Sequence, residues 1–233
     1  MLSPLTVAIF RARDDALRSA EALTQRGLAV ALAPVVEIVP TGAPPPVGSF
    51  DFIVATSAKA VALASPEALA AARAIYVVGE TTAAAARRAG LAPQAVAADI
   101  AALTPRLPPG RALYLAGADR KPDLEAALGA SAATLIVYAA RARPAWDETE
   151  ARAVAAASAA LHYSERSAAL AVALAQTAGV AAAFRRMPHV CLSRAASAPL
   201  ARFGVRRALW PAAPQQAALL DALESALADH VGL

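Results

Sequence analysis

Residues 50–63, FDFIVATSAKAVAL, decide the fold. A tight apolar run, Phe50 to Ala55, gives way to two hydroxyls and then to an alanine-rich segment that opens a helix at Ser57. The order is strand, small polar turn, helix. The same order returns at residues 75–90, IYVVGETTAAAARRAG, where Ile75 to Val78 is the strand, Gly-Glu-Thr-Thr opens the helix and Gly90 stops it. It returns twice more near the end, in AALHYSERSAALAVAL (159–174) and HVCLSRAASAPLARFG (189–204). Gly79 to Gly90 spans the same interval as Ser193 to Gly204. The middle pair and the late pair are two copies of one strand-helix-strand-helix unit, which points to a pseudo-symmetric pair of domains. Strands alternating with helices imply parallel sheets covered on both faces.

The flanking segments complete the pattern. Val7 to Arg11 reads as a buried strand. Asp14 and Asp15 offer an N-cap and a first-turn acid for a helix that runs to Arg26 and ends at Gly27. Leu28 to Val39 reads as a longer strand, interrupted by Pro34, as in an edge strand or one leaving its sheet. Arg111 to Ala116 and Thr134 to Ala139 are further strands. Asp147 to Ala157 and Pro214 to Ala228 read as helices, and VRRALWPA (205–212) as the last strand. The Pro/Gly loop Thr41 to Ser49 and Pro144 mark two crossings between domains. The fold class is therefore α/β, two doubly wound, flavodoxin-like parallel-sheet domains joined by a two-segment hinge beside an interdomain cleft. One domain takes 1–37 and 146–233 and the other 43–138, with connections at 38–42 and 139–145.

The length of 233 residues suits two domains of about 100 residues each. The apolar fraction of 58% is inflated by alanine, so the core must rest on the Val, Leu and Ile of the strands. Aromatics, at 5%, are too few for a base-stacking platform. The most apolar helix, Ala168 to Phe184, contains Gln176, Thr177 and Gly179 and falls short of the roughly 20 apolar residues a membrane span needs. The N-terminus lacks a basic region and a cleavage site, so a cytoplasmic protein is expected. No strand or helix shows a long unexplained apolar face, so a monomer is expected. Cys191 is alone and sits in an apolar strand. It supports no disulfide or cysteine metal site. His162, His189 and His230 have no metal-ligand spacing. A net charge of +4 and a pI near 9.7 favour anionic partners. The arginines are scattered rather than clustered, which points to a small polyanion and away from nucleic acid.

Open parallel sheets bind ligands beyond the carboxyl ends of their strands. After the successive strands come Arg11 and Arg13; Thr56, Ser57 and Lys59; Gly79, Thr81 and Thr82; Gly117, Arg120 and Lys121; Ser164, Arg166 and Ser167; and Ser193, Arg194 and Ser197. The set is small hydroxyls with single cations and very few acids. Hydroxyls at helix N-termini cap the helix and leave backbone N–H groups free to meet carboxylate or phosphate. Plain capping explains any one of them, whereas six strand ends of one character imply a ligand with several anionic groups. A P-loop, a dinucleotide fingerprint, a nucleophile elbow and a metalloprotease helix motif are all missing. An enzyme built from these parts works by binding, shaping and modest acid catalysis.

These stretches resemble the uroporphyrinogen-III synthases. VAIFRA (7–12) is similar to the family's first strand and arginine, DFIVATSAKAV (51–61) to its strand-Thr-Ser segment, and YVVGETTAAAARRAG (76–90) to its Val-Gly-x-x-Thr helix start. ALYLAGADRKPDLEAAL (112–128), TLIVYAAR (134–141), LHYSERSA (161–168) and HVCLSRAASAPLARFG (189–204) follow in the family's order. The resemblance implies cyclisation of hydroxymethylbilane, a linear tetrapyrrole rich in carboxylates, to uroporphyrinogen III, with loss of water and inversion of the last ring. It implies no metal or cofactor. It makes Tyr138 the residue that assists departure of the hydroxyl, and places Thr56, Ser57, Gly79, Thr81, Thr82, Ser164 and Ser193 on ligand-facing turns. Arg11, Lys59, Arg166, Arg194 and Ser197 join them as substrate-binding candidates. The partners expected are the substrate and, in passing, the preceding deaminase. Ala195 and Ala196 stand where many relatives carry hydroxyls. The competing readings are a non-catalytic anion-binding or regulatory relative, and an unrelated hinged α/β protein of the solute-binding kind.

Overall fold

Strands buried on both faces need no alternation of apolar and polar residues, and the apolar runs of this chain become strands of that kind. The computed structural model describes residues 5–120 and 123–231. In chain order the elements are β1 (Thr6–Ile9), α1 (Arg13–Thr24), β2 (Ala29–Leu32), β3 (Val36–Pro40), β4 (Phe52–Ala55), α2 (Ala58–Leu63), α3 (Pro66–Leu69), β5 (Ala74–Val78), α4 (Glu80–Arg88), β6 (Pro93–Ala97) and α5 (Ile100–Leu103). They continue with β7 (Ala112–Gly117), α6 (Asp123–Leu128), β8 (Ala132–Ala142), α7 (Glu148–Ala155), β9 (Ala159–His162), α8 (Glu165–Thr177), α9 (Ala181–Arg186), β10 (His189–Cys191), α10 (Arg194–Arg202), β11 (Ala208–Leu209) and α11 (Gln216–Val231).

The chain divides into two compact units, Met1–Glu37 with Arg141–Leu233, and Ile38–Ala140. The first holds a parallel sheet of order β11-β10-β9-β1-β2. Phe10, Phe184 and Leu200 fill one face of it, and Ile9, Leu23, Leu161 and Leu219 the other. The second holds a sheet of order β3-β8-β7-β4-β5-β6, parallel from β8 to β6. Its two faces bury Ile53, Ile75 and Leu113 on one side and Phe52, Val54 and Leu103 on the other. β3 runs antiparallel to β8. Thr41 N–H donates to Val137 O and Arg143 N–H to Val35 O, so one index rises as the other falls.

Alanine lines the contacts between neighbouring helices in both units. Ala60, Ala83 and Ala86 in one, and Ala168, Ala171 and Ala175 in the other, are wholly buried. Their small side chains let α2 pack against α4 and α8 against α10.

Several local readings change. Asp14 and Asp15 lie in the first turn of α1, but the N-cap is Ala12, which has no side chain to cap with. Leu28 to Val39 is two strands in two sheets, because the chain turns at Pro34. The Pro34 carbonyl accepts from Trp146 Nε1 at 3.2 Å and from Arg143 Nη1 at 3.2 Å. Arg143 also meets Glu150 at 2.6 Å, and Glu150 forms a capping box with Asp147 at the head of α7. Residues 93–97 form an edge strand, and its register with β5 shifts beside Pro93. α9 is an additional helix, and the last strand is only Ala208–Leu209.

Candidate functional site

Parallel strands send every strand-to-helix turn to the same edge of a sheet, so the candidate residues of each unit collect on its carboxyl edge. In the second unit the turn after β4 presents Thr56 and Ser57, both half-buried. Each pairs with a tyrosine. Thr56 Oγ1 lies 3.2 Å from the hydroxyl of Tyr114, a buried residue of β7. Ser57 Oγ lies 3.1 Å from the hydroxyl of Tyr138 on β8. The Tyr138 ring lies over Gly117, the last residue of β7. Gly79 heads α4 with φ +81°, a left-handed conformation that favours glycine. Thr81 is exposed beside it. Lys59 is half-buried in the first turn of α2.

The turn after β7 is closed by its own charges. Arg120 Nη2 reaches Glu125 at 2.7 Å, and Thr134 Oγ1 donates to the same carboxylate oxygen at 2.7 Å. Those two donors, Arg120 first, hold the Glu125 carboxyl below the usual carboxylate range. Lys121, expected on this turn, lies outside the described residues.

In the first unit Arg11 follows β1. Its guanidinium lies 4.0 Å from the centre of the Tyr163 ring, and Nη1 donates to Ser19 Oγ at 3.1 Å. A stacked cation held at one end keeps its remaining N–H groups aimed in a fixed direction. Ser164 caps α8 by accepting from Ser167 N–H at 3.1 Å, and Ser193 caps α10 by accepting from Ala196 N–H at 3.4 Å. Arg166 and Arg194 are exposed in the first turns of those helices. The helix heads and cations make this edge attractive to carboxylates.

Two expected residues point elsewhere. Thr82 and Ser197 are buried, at 4% and 6% exposure. They sit three and four residues past the heads of their helices, where the helical period turns the side chain into the packing. Ser197 Oγ donates back to Arg194 O at 2.8 Å. Neither hydroxyl is offered on its turn.

Behind the carboxyl edge of the first unit lies a pair that single-residue reading does not reveal. His162 Nε2 and His189 Nδ1 are 2.9 Å apart, and His189 Nε2 is 2.6 Å from Phe184 O. Both histidines are fully buried, with Phe10 stacked on His162 at 5.1 Å. The Phe184 carbonyl only accepts, so His189 carries its proton on Nε2. Its Nδ1 then accepts from His162 Nε2–H, which leaves His162 Nδ1 bare. That atom and the Tyr163 hydroxyl are buried without a partner among the described residues. Burial holds both rings neutral. It pushes His162 well below its ordinary value, with His189 adding to the effect, and His189 down to about 4. Burial also pushes the Cys191 thiol up to about 12, which leaves it inert. No group of three His, Cys, Asp or Glu among the described residues is arranged to hold a metal ion.

Tyr114 is the further residue of the second unit's edge, and its signal is a lone hydroxyl in an apolar strand. Gly117, expected from the sequence after its strand, is the last residue of that strand.

A family model described as uroporphyrinogen-III synthase HemD matches residues 18–221. Among solved structures, the uroporphyrinogen-III synthetase of Helicobacter pylori aligns with a TM-score of 0.60 and 15% identity, over 96% of this chain and 99% of that one. A mutant uroporphyrinogen III synthase from the extremely thermophilic bacterium Thermus thermophilus aligns with a TM-score of 0.49 and 20% identity, over 97% and 99% of the two chains. No curated protein sequence matches the chain.

Proposed function

Because this chain belongs to the uroporphyrinogen-III synthase family, whose members close hydroxymethylbilane to uroporphyrinogen III in tetrapyrrole biosynthesis, we propose how its residues carry that reaction. The turns at the carboxyl edges grip the substrate's carboxylates. Arg11, Lys59, Arg166 and Arg194 supply charge. The heads of α4, α8 and α10, with Gly79, Thr81, Ser164 and Ser193, supply oriented N–H and O–H donors. Tyr138 supplies the proton.

The bond between the terminal carbon and its hydroxyl breaks with the electron pair going to oxygen. That oxygen takes the Tyr138 proton and leaves as water. The pyrrole nitrogen feeds electrons to the carbon left behind, which is then attacked by the substituted ring carbon of the last pyrrole to give a spiro intermediate. The bond from that carbon to its original methylene bridge breaks, and the freed methylene bonds to the unsubstituted carbon on the other side of the same ring. The proton lost from this second carbon returns the tyrosinate to tyrosine. The reaction is a lyase step with no net redox change. The edge groups hold the chain in the geometry that makes inversion of the last ring faster than direct closure.

The match over residues 18–221 carries this reading. Its test is product analysis. With freshly made hydroxymethylbilane the protein is expected to give predominantly the type III isomer, whereas spontaneous closure gives type I. Type I alone from a folded sample would reduce the chain to a binding relative. For Arg11→Ala, KM is expected to rise about tenfold at low salt, with the gap narrowing as salt screens the substrate's charge. An unchanged KM at low salt would remove Arg11 from the site.

No described helix is long and apolar enough to cross a membrane. Among the described residues the exposed large apolar side chains are Leu17, Val47, Leu63 and Trp210. Leu17 lies on α1 and Leu63 on α2, while Val47 and Trp210 lie outside the helices and strands, and these scattered positions support a monomer. A cytoplasmic setting and a transient contact with the preceding deaminase complete the proposal.

A further inference from the structure

Resting on the role of Tyr138 above, we propose that Gly117 and Ser57 are positioning residues for the Tyr138 hydroxyl, Gly117 by leaving room for its ring and Ser57 by orienting its O–H.

Three observations within the second unit converge on this one side chain. The first is a bulge. β7 and β8 pair Ala116 with Ile136 and then Gly117 with Tyr138, so Val137 is the extra residue. Successive strand residues ordinarily face opposite sides of a sheet. Here Val137 and Tyr138 both pack against the apolar cluster of Ile53, Leu113 and Leu115, while Ile136 faces the other side. The bulge has turned Tyr138 over, as bulges do where a side chain must be re-aimed. Ala118 N–H clamps the Tyr138 carbonyl at 2.8 Å just past the irregularity.

The second is the space the ring occupies. A Cβ on Gly117 would stand 2.6 Å from Tyr138 Cζ, 2.8 Å from its hydroxyl oxygen and 3.0 Å from Cε2. Any side chain there displaces the tip of the ring, which is the part that carries the reacting group.

The third is a serine that does not do what its position suggests. Ser57 precedes α2 in extended conformation, yet its side chain makes no capping bond. Ser164 and Ser193, at equivalent turns, do cap their helices. The Ser57 hydroxyl turns instead to Tyr138, 3.1 Å away. If Ser57 donates this bond, the Tyr138 proton is free to point outward to the leaving oxygen. As that proton departs, the Ser57 bond strengthens against the growing negative charge. Ser57 thereby moves from substrate binder to positioning residue.

The test is steady-state cyclisation of hydroxymethylbilane by Ser57→Ala, Ser57→Thr and Gly117→Ala, each made alone and on a Tyr138→Phe background. Ser57→Ala is expected to lower kcat about tenfold, the worth of one oriented hydrogen bond, with KM little changed. Ser57→Thr keeps the hydroxyl and is expected to restore kcat. Gly117→Ala, which moves the reacting oxygen by the order of an ångström, is expected to lower kcat about 100-fold. Neither alanine change is expected to lower kcat further once the tyrosine hydroxyl is gone. Ser57→Ala acting on KM alone, or losses that remain additive on the Tyr138→Phe background, would overturn the proposal while leaving Tyr138 in its role. A Tyr138→Phe protein with undiminished kcat would overturn that role itself. Should Gly117→Ala not fold, the Ser57 pair of variants decides.

Discussion

Between about pH 6.5 and about pH 4 the protein is expected to lose roughly 3 kcal/mol of stability to His189 alone. The unfolded chain takes up a proton on each histidine as the pH falls through the ordinary histidine value. In the folded chain His189 resists until about 4, and His162 lies well below its ordinary value. The unfolded state therefore binds more protons throughout this window, and stability falls as the pH falls. One histidine gives a slope of about 1.4 kcal/mol per pH unit, and two titrating in the same window give about twice that. Both rings are fully buried, so solvent screening does little to soften the effect. Urea unfolding at a series of pH values measures it. The upper part of the window, above the carboxylate range, belongs to the histidines. His162→Leu is expected to lower stability near neutral pH, because His189 Nδ1 loses its donor, and to roughly halve the slope, so that its curve meets that of the unaltered protein as the pH falls. A flat curve for the unaltered protein between about pH 6.5 and about pH 5 would contradict the neutral, buried pair.

Tyr138→Phe is expected to lower kcat by about 100-fold or more, the usual worth of a placed general acid. The change removes one oxygen and leaves the ring, so the bulge and the clearance over Gly117 survive. Stability should shift by only about 1 kcal/mol, because Ser57 is half-buried and water can replace the lost partner. The substrate's carboxylates are held by other groups, so KM should move little. As the catalysed route slows, spontaneous closure takes a larger share, and the product should drift from type III toward type I. Quenching, oxidation and separation of the isomers record rate and ratio together. A kcat within about twofold of the unaltered protein would show that the proton comes from elsewhere.

The strands that matter most are legible because they are uninterrupted apolar runs. Phe52 to Ala55 and Ile75 to Val78 need no knowledge of their neighbours to be recognised, and their turns follow directly. The family resemblance draws on those turns, and residues 18–221 match the family. What escapes depends on register. His162 and His189 look like isolated histidines in apolar strands. They meet only because β9 and β10 run parallel with Cys191 opposite His162. Tyr114 reaches Thr56 only because Ala55 stands opposite Leu115. The bulge that turns Tyr138 is a relation between two strands, and neither strand states it alone. PQAVA at 93–97 is silent for a different reason. A proline and a glutamine mask an edge strand, which can carry both because one of its sides has no ladder to complete. Thr82 and Ser197 mislead because a hydroxyl near a helix head suggests an outward-facing group, when their helical phase points it inward.

The alanine layer has a consequence for how this sequence can change over time. A leucine-lined helix interface loses stability mainly by truncation, and each loss leaves a hole. Ala60, Ala83, Ala86, Ala168, Ala171 and Ala175 have only a methyl to give up, and they are wholly buried on helices that pack closely against a neighbouring helix. Almost every replacement at these sites adds volume, so the damage comes by crowding. Such a layer tolerates glycine at about 1 kcal/mol per site in a helix. It admits valine or leucine only if a whole helix moves outward. Variation along these interfaces is therefore discontinuous. A lineage keeps its small residues, or it re-seats the helix in a coordinated step that changes several neighbours together.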